Sequence, residues 1–147
     1  DAIVIKPSGI GFNECTRDDI RAVVHCHSPW ATGYASAGLE IPCLTVQTIE
    51  KIGRMPLIPL SPMGGPQTDR EISPIFQDPE IVAAVLANHG TIGVGTTLMK
   101  AQYLAEIIEE TAHIAYVRDT LMAAHGKSVA DLPQFGTNAD EKAALGA

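Results

Sequence analysis

The sequence has no run of Lys or Arg long enough to follow a phosphate backbone, and its formal net charge is −7. A nucleic-acid partner is therefore not expected. No stretch approaches the ~20 consecutive apolar residues of a membrane span, so no membrane is expected either. Cys-x-x-Cys spacing is absent. The three cysteines, Cys15, Cys26 and Cys43, leave one odd and read as free thiols of a reducing compartment, with cytoplasm as the expectation. Asp1–Ile5 has no basic start and no cleavage site, unlike a secretory leader, and a strand beginning at residue one suggests that something precedes it. Charged residues are only 18% of the chain, against 46% hydrophobic. That balance suits a compact chain with some surface buried against other subunits, and excludes a disordered one. At 147 residues the chain buries one core and reads as a single domain spanning 1–147.

Ala2–Lys6 is β-rich and ends at Pro7-Ser8-Gly9, a turn pattern. Arg21–His27 is a second strand. Ser28-Pro29 supplies an N-cap and a first-turn proline for a helix running to about Gly38. Ile41–Leu44 and Pro56–Leu60 read as short, proline-limited strands near sheet edges. Thr68-Asp69-Arg70-Glu71 fits a capping box that opens a short helix. Ile81–Ala87 is a buried strand or a helix tail, which periodicity does not separate. Thr91–Gly95 is strand-like. From Thr97, Leu98, Ala101, Leu104, Ala105, Ile108, Ala112, Ala115 and Leu121 share one helical stripe that stops before Gly126. The tail from Lys127 is rich in Ala, Gly and Asp.

His25-Cys26-His27 carries the chemistry. On a strand the two imidazoles point one way and Cys26 the other, with the histidine Cα atoms ~6.6 Å apart, so two ring nitrogens can converge on one cation. By spacing alone, metal ligands and ordinary core histidines both remain open. Cys26 reads as a small buried residue. A catalytic zinc needs a third protein ligand, and His89, in Asn88-His89-Gly90 between two apolar runs, is the candidate. His113 lies beside Glu109 and Glu110 on the long helix, and His125 lies at its C-terminus, where a cation suits the dipole. Both read as surface or capping residues.

Val23–Thr32 (V-V-H-C-H-S-P-W-A-T) resembles the metal-binding strand-turn-helix of the class II aldolase/adducin family. Asn88-His89-Gly90, with the glycine-containing strand and long helix after it, resembles that family's third-ligand segment. Lys6-Pro7-Ser8-Gly9-Ile10 is similar to its phosphate-side turn, though on its own Pro7-Ser8-Gly9 is an ordinary β-turn. These blocks stand in the family's order and cover most of the chain. The resemblance implies an α/β fold, a three-layer α/β/α arrangement with a mostly antiparallel central sheet. It also implies a homotetramer with active sites between neighbouring subunits. One Zn2+ per subunit would be held by His25, His27 and His89, and Lys6, Ser8 and Gly9 would contact a sugar phosphate. Glycine admits close backbone approach to an anion and a hydroxyl donates to it, which agrees with that role.

Two family features are not found. One is an N-terminal helix with a Gly-Asn-x-Ser loop. The other is a Pro-Ser-Ser-Glu-like segment that supplies the acid/base carboxylate between the Pro-Ser-Gly turn and the metal strand. Thr16–Ile20 resembles the lead-in to a different strand, so an internal segment near residues 19–21 is expected to be missing. Glu14, Asp18, Asp19 and Glu50 do not match the carboxylate. Glu50 is nevertheless the candidate nearest the region that borders the pocket in relatives, and the catalytic acid/base is otherwise unassigned. Tyr34, Tyr103 and Tyr116 fall on helices and match no family tyrosine. The function implied is retro-aldol cleavage of a phosphorylated ketose through a metal-stabilised enediolate. A pentulose-5-phosphate 4-epimerase shares the metal and the bond type, and Lys6 matches the epimerase version of the turn. Some relatives act on unphosphorylated acids or decarboxylate. The alternative from another class is an adducin-like interaction domain without catalysis.

Overall fold

The computed structural model describes residues 17–59, 70–128 and 130. The predicted strand Ala2–Lys6, the turn Pro7–Gly9 and most of the tail lie outside them, as does the start of the capping-box helix, of which residues 70–72 are described and helical. In chain order the elements are β1 (Ala22–Cys26), α1 (Pro29–Ser36), α2 (Val46–Lys51) and β2 (Leu57–Ile58). A 3-10 turn (Ile75–Gln77), β3 (Ala83–Leu86), β4 (Gly90–Gly95) and the 27-residue α3 (Leu98–Ala124) follow.

The four described strands form one sheet in the order β1-β4-β3-β2. The β1–β4 and β3–β4 ladders are antiparallel and the β2–β3 ladder is parallel, so the sheet is mixed. Side-chain alternation sorts its two faces. Ala83 and Val85 of β3 pack with Ala31, Ala35, Leu104, Ile107, Ile108 and Ala112 from α1 and α3. Ala84, Leu86, Ile92 and Val94 face the other way and pack under Phe76, Ile72 and Ile75. Val24, on the helix side of β1, meets Ala101 and Ala105.

β4 carries glycine where α3 crosses it. A Cβ on Gly93 would stand 2.7 Å from the Ala101 carbonyl oxygen, and one on Gly95 3.0 Å from the Ala101 nitrogen. Small residues on both sides therefore set how closely the helix docks. Thr97 caps α3, its hydroxyl accepting from Lys100 N–H at 3.2 Å. The predicted stripe is buried at Ala101, Leu104, Ala105, Ile108, Ala112 and Ala115. Its ends depart from it: Leu98 and Leu121 are 43% and 56% exposed.

Ile81–Ala87 resolves as a strand, with every residue of β3 buried. Ile41–Leu44 is not a strand; it is irregular. The chain there turns instead into α2, which periodicity did not suggest. Thr45 caps it by accepting from Thr48 N–H at 3.1 Å, and the Thr48 hydroxyl reaches the Thr111 hydroxyl at 2.6 Å. At residues 19–21, where the sequence departs from the family pattern, the chain makes a turn closed by Ile20 N–H on the Arg17 carbonyl (3.2 Å). It then enters β1 with Arg21 N–H on Gly95 O (2.9 Å).

Candidate metal centre

Three short pieces of chain build the site. His25 is the fourth residue of β1 and sits across from Ile92. Its Nδ1 lies 2.9 Å from the Thr91 carbonyl oxygen. A carbonyl only accepts, so Nδ1 carries the proton and Nε2 keeps its lone pair, the tautomer a metal ligand needs. His27 follows one residue beyond β1 and is exposed. His89 comes from the β3–β4 turn, where its N–H donates to Leu86 O at 3.1 Å. Asn88 there adopts φ 56°, a left-handed conformation that Asn tolerates better than most residues.

Gly90 lets that turn close on the end of β1. A Cβ at this position would lie 2.2 Å from the Cys26 carbonyl oxygen and 3.3 Å from Cε1 of His25. No other residue fits without moving the strand or the ring. The three imidazole centroids consequently form a nearly equilateral triangle with sides of 4.9, 4.6 and 4.9 Å. One ligand nitrogen from each ring lies within 4.8 Å of the other two, the single such grouping of metal-capable side chains among the described residues.

The donor chemistry fits a zinc-type ion. Zinc is held by neutral imidazole nitrogens at ~2.0–2.1 Å, and three protein ligands leave a position for substrate. Burial lowers the His25 pKa from the ordinary 6.5; the Thr91 bond opposes this and the neighbouring His27 adds to it. Burial also lowers His89, helped by His25 and His27. Both effects favour the neutral, ligating form.

Other predicted site residues fare differently. Lys6, Ser8 and Gly9 lie outside the described residues. Glu50 stands on α2 with its carboxylate 3.5 Å from Lys51 Nζ, and it does not join the imidazole group. Cys26 points toward α3, packing with Val24, Ala101 and Ala105. Tyr34 donates to Asp119 at 3.3 Å. Glu109, to which the sequence assigned no role, takes part in the fold: its carboxylate accepts from the Trp30 and Ala31 amides, both at 3.0 Å. His113 is also engaged, stacked on Trp30 with centroids 4.2 Å apart. Ser28 has N-cap dihedrals, yet its hydroxyl makes no capping bond. Nothing in the local sequence announces this, because Glu109 lies 79 residues from Trp30.

A mixed α/β sheet with three converging histidines defines a class of domain whose imidazoles could hold a metal ion. Residues 15–116 match the family model described as Class II Aldolase and Adducin N-terminal domain, and the chain belongs to that family. It is 25% identical over 105 residues to L-fuculose phosphate aldolase of Methanococcus maripaludis, covering 71% of this chain and 56% of the relative. It is 31% identical over 102 residues to 3-oxo-tetronate 4-phosphate decarboxylase of Escherichia coli K12, covering 66% and 47%. Among solved structures, an L-fuculose 1-phosphate aldolase shares the fold, with a TM-score of 0.70 at 21% identity over 88% of this chain and 56% of that one. The chain thus spans about half the length of the curated relatives it matches.

Proposed function

We propose that this chain is the metal-binding domain of a class II aldolase-type lyase that cleaves a phosphorylated ketose by retro-aldol chemistry. The gathering of three imidazole nitrogens within 4.8 Å carries the proposal. Both curated relatives described above bear names of enzymes acting on phosphorylated compounds, which supports the substrate class. His25, His27 and His89 would hold one Zn2+, a Lewis acid toward adjacent substrate oxygens when bound.

The chain's own residues supply the rest of the arrangement. The Thr91 carbonyl keeps the His25 proton on Nδ1, so the ligating nitrogen stays free. Lys6, Ser8 and Gly9 take the phosphate role, through backbone approach at glycine, the hydroxyl and the ammonium. Cleavage breaks the carbon–carbon bond between the carbinol carbon and the carbon beside the ketone. A base takes the carbinol proton, the aldehyde leaves, and a proton returns to the remaining ketose fragment. Among the described residues no carboxylate joins the imidazoles. The base is accordingly left unassigned. A homotetramer with sites between subunits, the full three-layer fold and a cytoplasmic setting complete the reading.

A second reading within enzymes is decarboxylation of a phosphorylated 3-oxo acid, favoured by the 31% identity to the decarboxylase. The adducin half of the family description supports a third, a folded domain without catalysis. A screen of phosphorylated ketoses and 3-oxo acids, with Zn2+ and with chelator, separates them. Zinc-dependent aldehyde release from a ketose phosphate supports the lyase, and carbon dioxide release supports the decarboxylase. Folded protein with one zinc and no turnover in either assay points to the non-catalytic domain.

A further inference from the structure

We propose that Glu109 is a positioning residue for the metal centre, holding the β1–α1 corner that carries His27; this rests on the metal-site reading above. His25 has its own anchor on the Thr91 carbonyl, and His89 is fixed by a tight turn packed against β1. His27 has neither. Its residue falls between the end of β1 at Cys26 and the start of α1 at Pro29. Its ring lies against the other two imidazoles and, among the described residues, makes no side-chain hydrogen bond. The placement of its nitrogen therefore depends on how firmly the backbone on either side is held.

On the strand side, Cys26 is paired with Thr91. On the helix side, the first amides of α1 need an acceptor, and the local one is idle because Ser28 makes no capping bond. Glu109 fills that place from α3. Its two oxygens accept separately from Trp30 N–H and Ala31 N–H, each at 3.0 Å, three and four residues past His27. Carboxylate-to-amide bonds are charge-assisted, and a negative charge at this helix end complements the dipole. One helical turn further along α3, His113 stacks on the Trp30 ring with planes 8° apart, so the same stretch of α3 grips backbone and side chain together. The long helix thus supports the metal site from the sheet face opposite His25, without touching the ion.

The test is metal affinity, measured by chelator competition with Zn2+ on wild type, Glu109→Ala, Glu109→Gln and Tyr34→Phe, all above pH 7. Loss of an outer-shell support weakens metal binding by about 10–100-fold, and that is expected for Glu109→Ala. Glu109→Gln keeps one acceptor and should recover part of the loss. Tyr34→Phe removes the Asp119 bond from the same α1–α3 seam. It should lower the thermal midpoint while leaving zinc affinity within about twofold of wild type, well inside the range expected for Glu109→Ala. Wild-type affinity in Glu109→Ala overturns the assignment, and so does an equal loss in Tyr34→Phe, which would mark a general loosening. If Glu109→Ala does not fold, Glu109→Gln decides, and wild-type affinity there overturns the assignment. A wild-type protein that takes up no zinc overturns the metal centre itself, a result distinct from the other outcomes.

Discussion

Single atoms decide whether three histidines become one site. The His25 proton is committed to Thr91 O, which leaves the opposite nitrogen available. His89 depends on Asn88 accepting a left-handed φ and on Gly90 having no Cβ. His89→Ala is therefore expected to lose stoichiometric zinc by elemental analysis while its far-UV circular dichroism stays unchanged, because the ring is half-exposed and outside the core. Wild-type zinc content in that variant would remove His89 from the ligand set. At this scale the sequence was informative about identity. The alternation rule placed His25 and Cys26 on opposite sides of β1, as found. It was silent about Glu109, whose partners lie far away in the chain, and about Gly90, whose need for a bare Cα comes from a strand that pairs with its own.

Among the elements, α3 and β4 form the contact on which the others rest. Gly93 is the closest point: an added methyl would sit 2.7 Å from the Ala101 carbonyl oxygen, a backbone atom that no side-chain rotation can remove. Overpacking of this sort costs about 1–3 kcal/mol. Gly93→Ala should accordingly unfold at lower denaturant with an unchanged slope; an unaltered midpoint would mean that helix and strand have slack. Helix α3 was legible because a long 3.6-residue pattern needs no partner to be recognised. The strands β1 and β4 were legible to within a residue or two. Ile41–Leu44 was misjudged because a short apolar run carries no record of whether a neighbouring strand has room for it. Helix α2 was missed because six residues hold too few turns to show a period.

At the level of the whole molecule, a metal held by the three imidazoles would compete with protons for the same nitrogens. Burial depresses the His25 and His89 pKa values below 6.5 in the folded chain. Below pH 6.5 the unfolded chain takes up protons that the folded chain resists, so these groups withdraw stability as pH falls. Above it both states are neutral and the effect is absent. The zinc-free protein should show a thermal midpoint that is insensitive to these groups above pH 7 and drops as the pH falls below about 6.5. Zinc at 100 times its Kd adds about 2.7 kcal/mol to stability, a gain that should fade over the same acid range as protons displace it. A midpoint unmoved by zinc at pH 7.5 would contradict a native metal site.

What the chain determined by itself was the donor set and the local conformations that carry it. One histidine lies on a strand and a second just past its end, a third follows an Asn at a turn, and a long amphipathic helix comes after, all consequences of side-chain type and near-neighbour spacing. Tertiary structure alone decided that the third imidazole meets the first two, and that a glutamate on α3 supports the corner beside His27. Those relations join residues more than 60 positions apart, and only packing of the sheet against its helix brings them together.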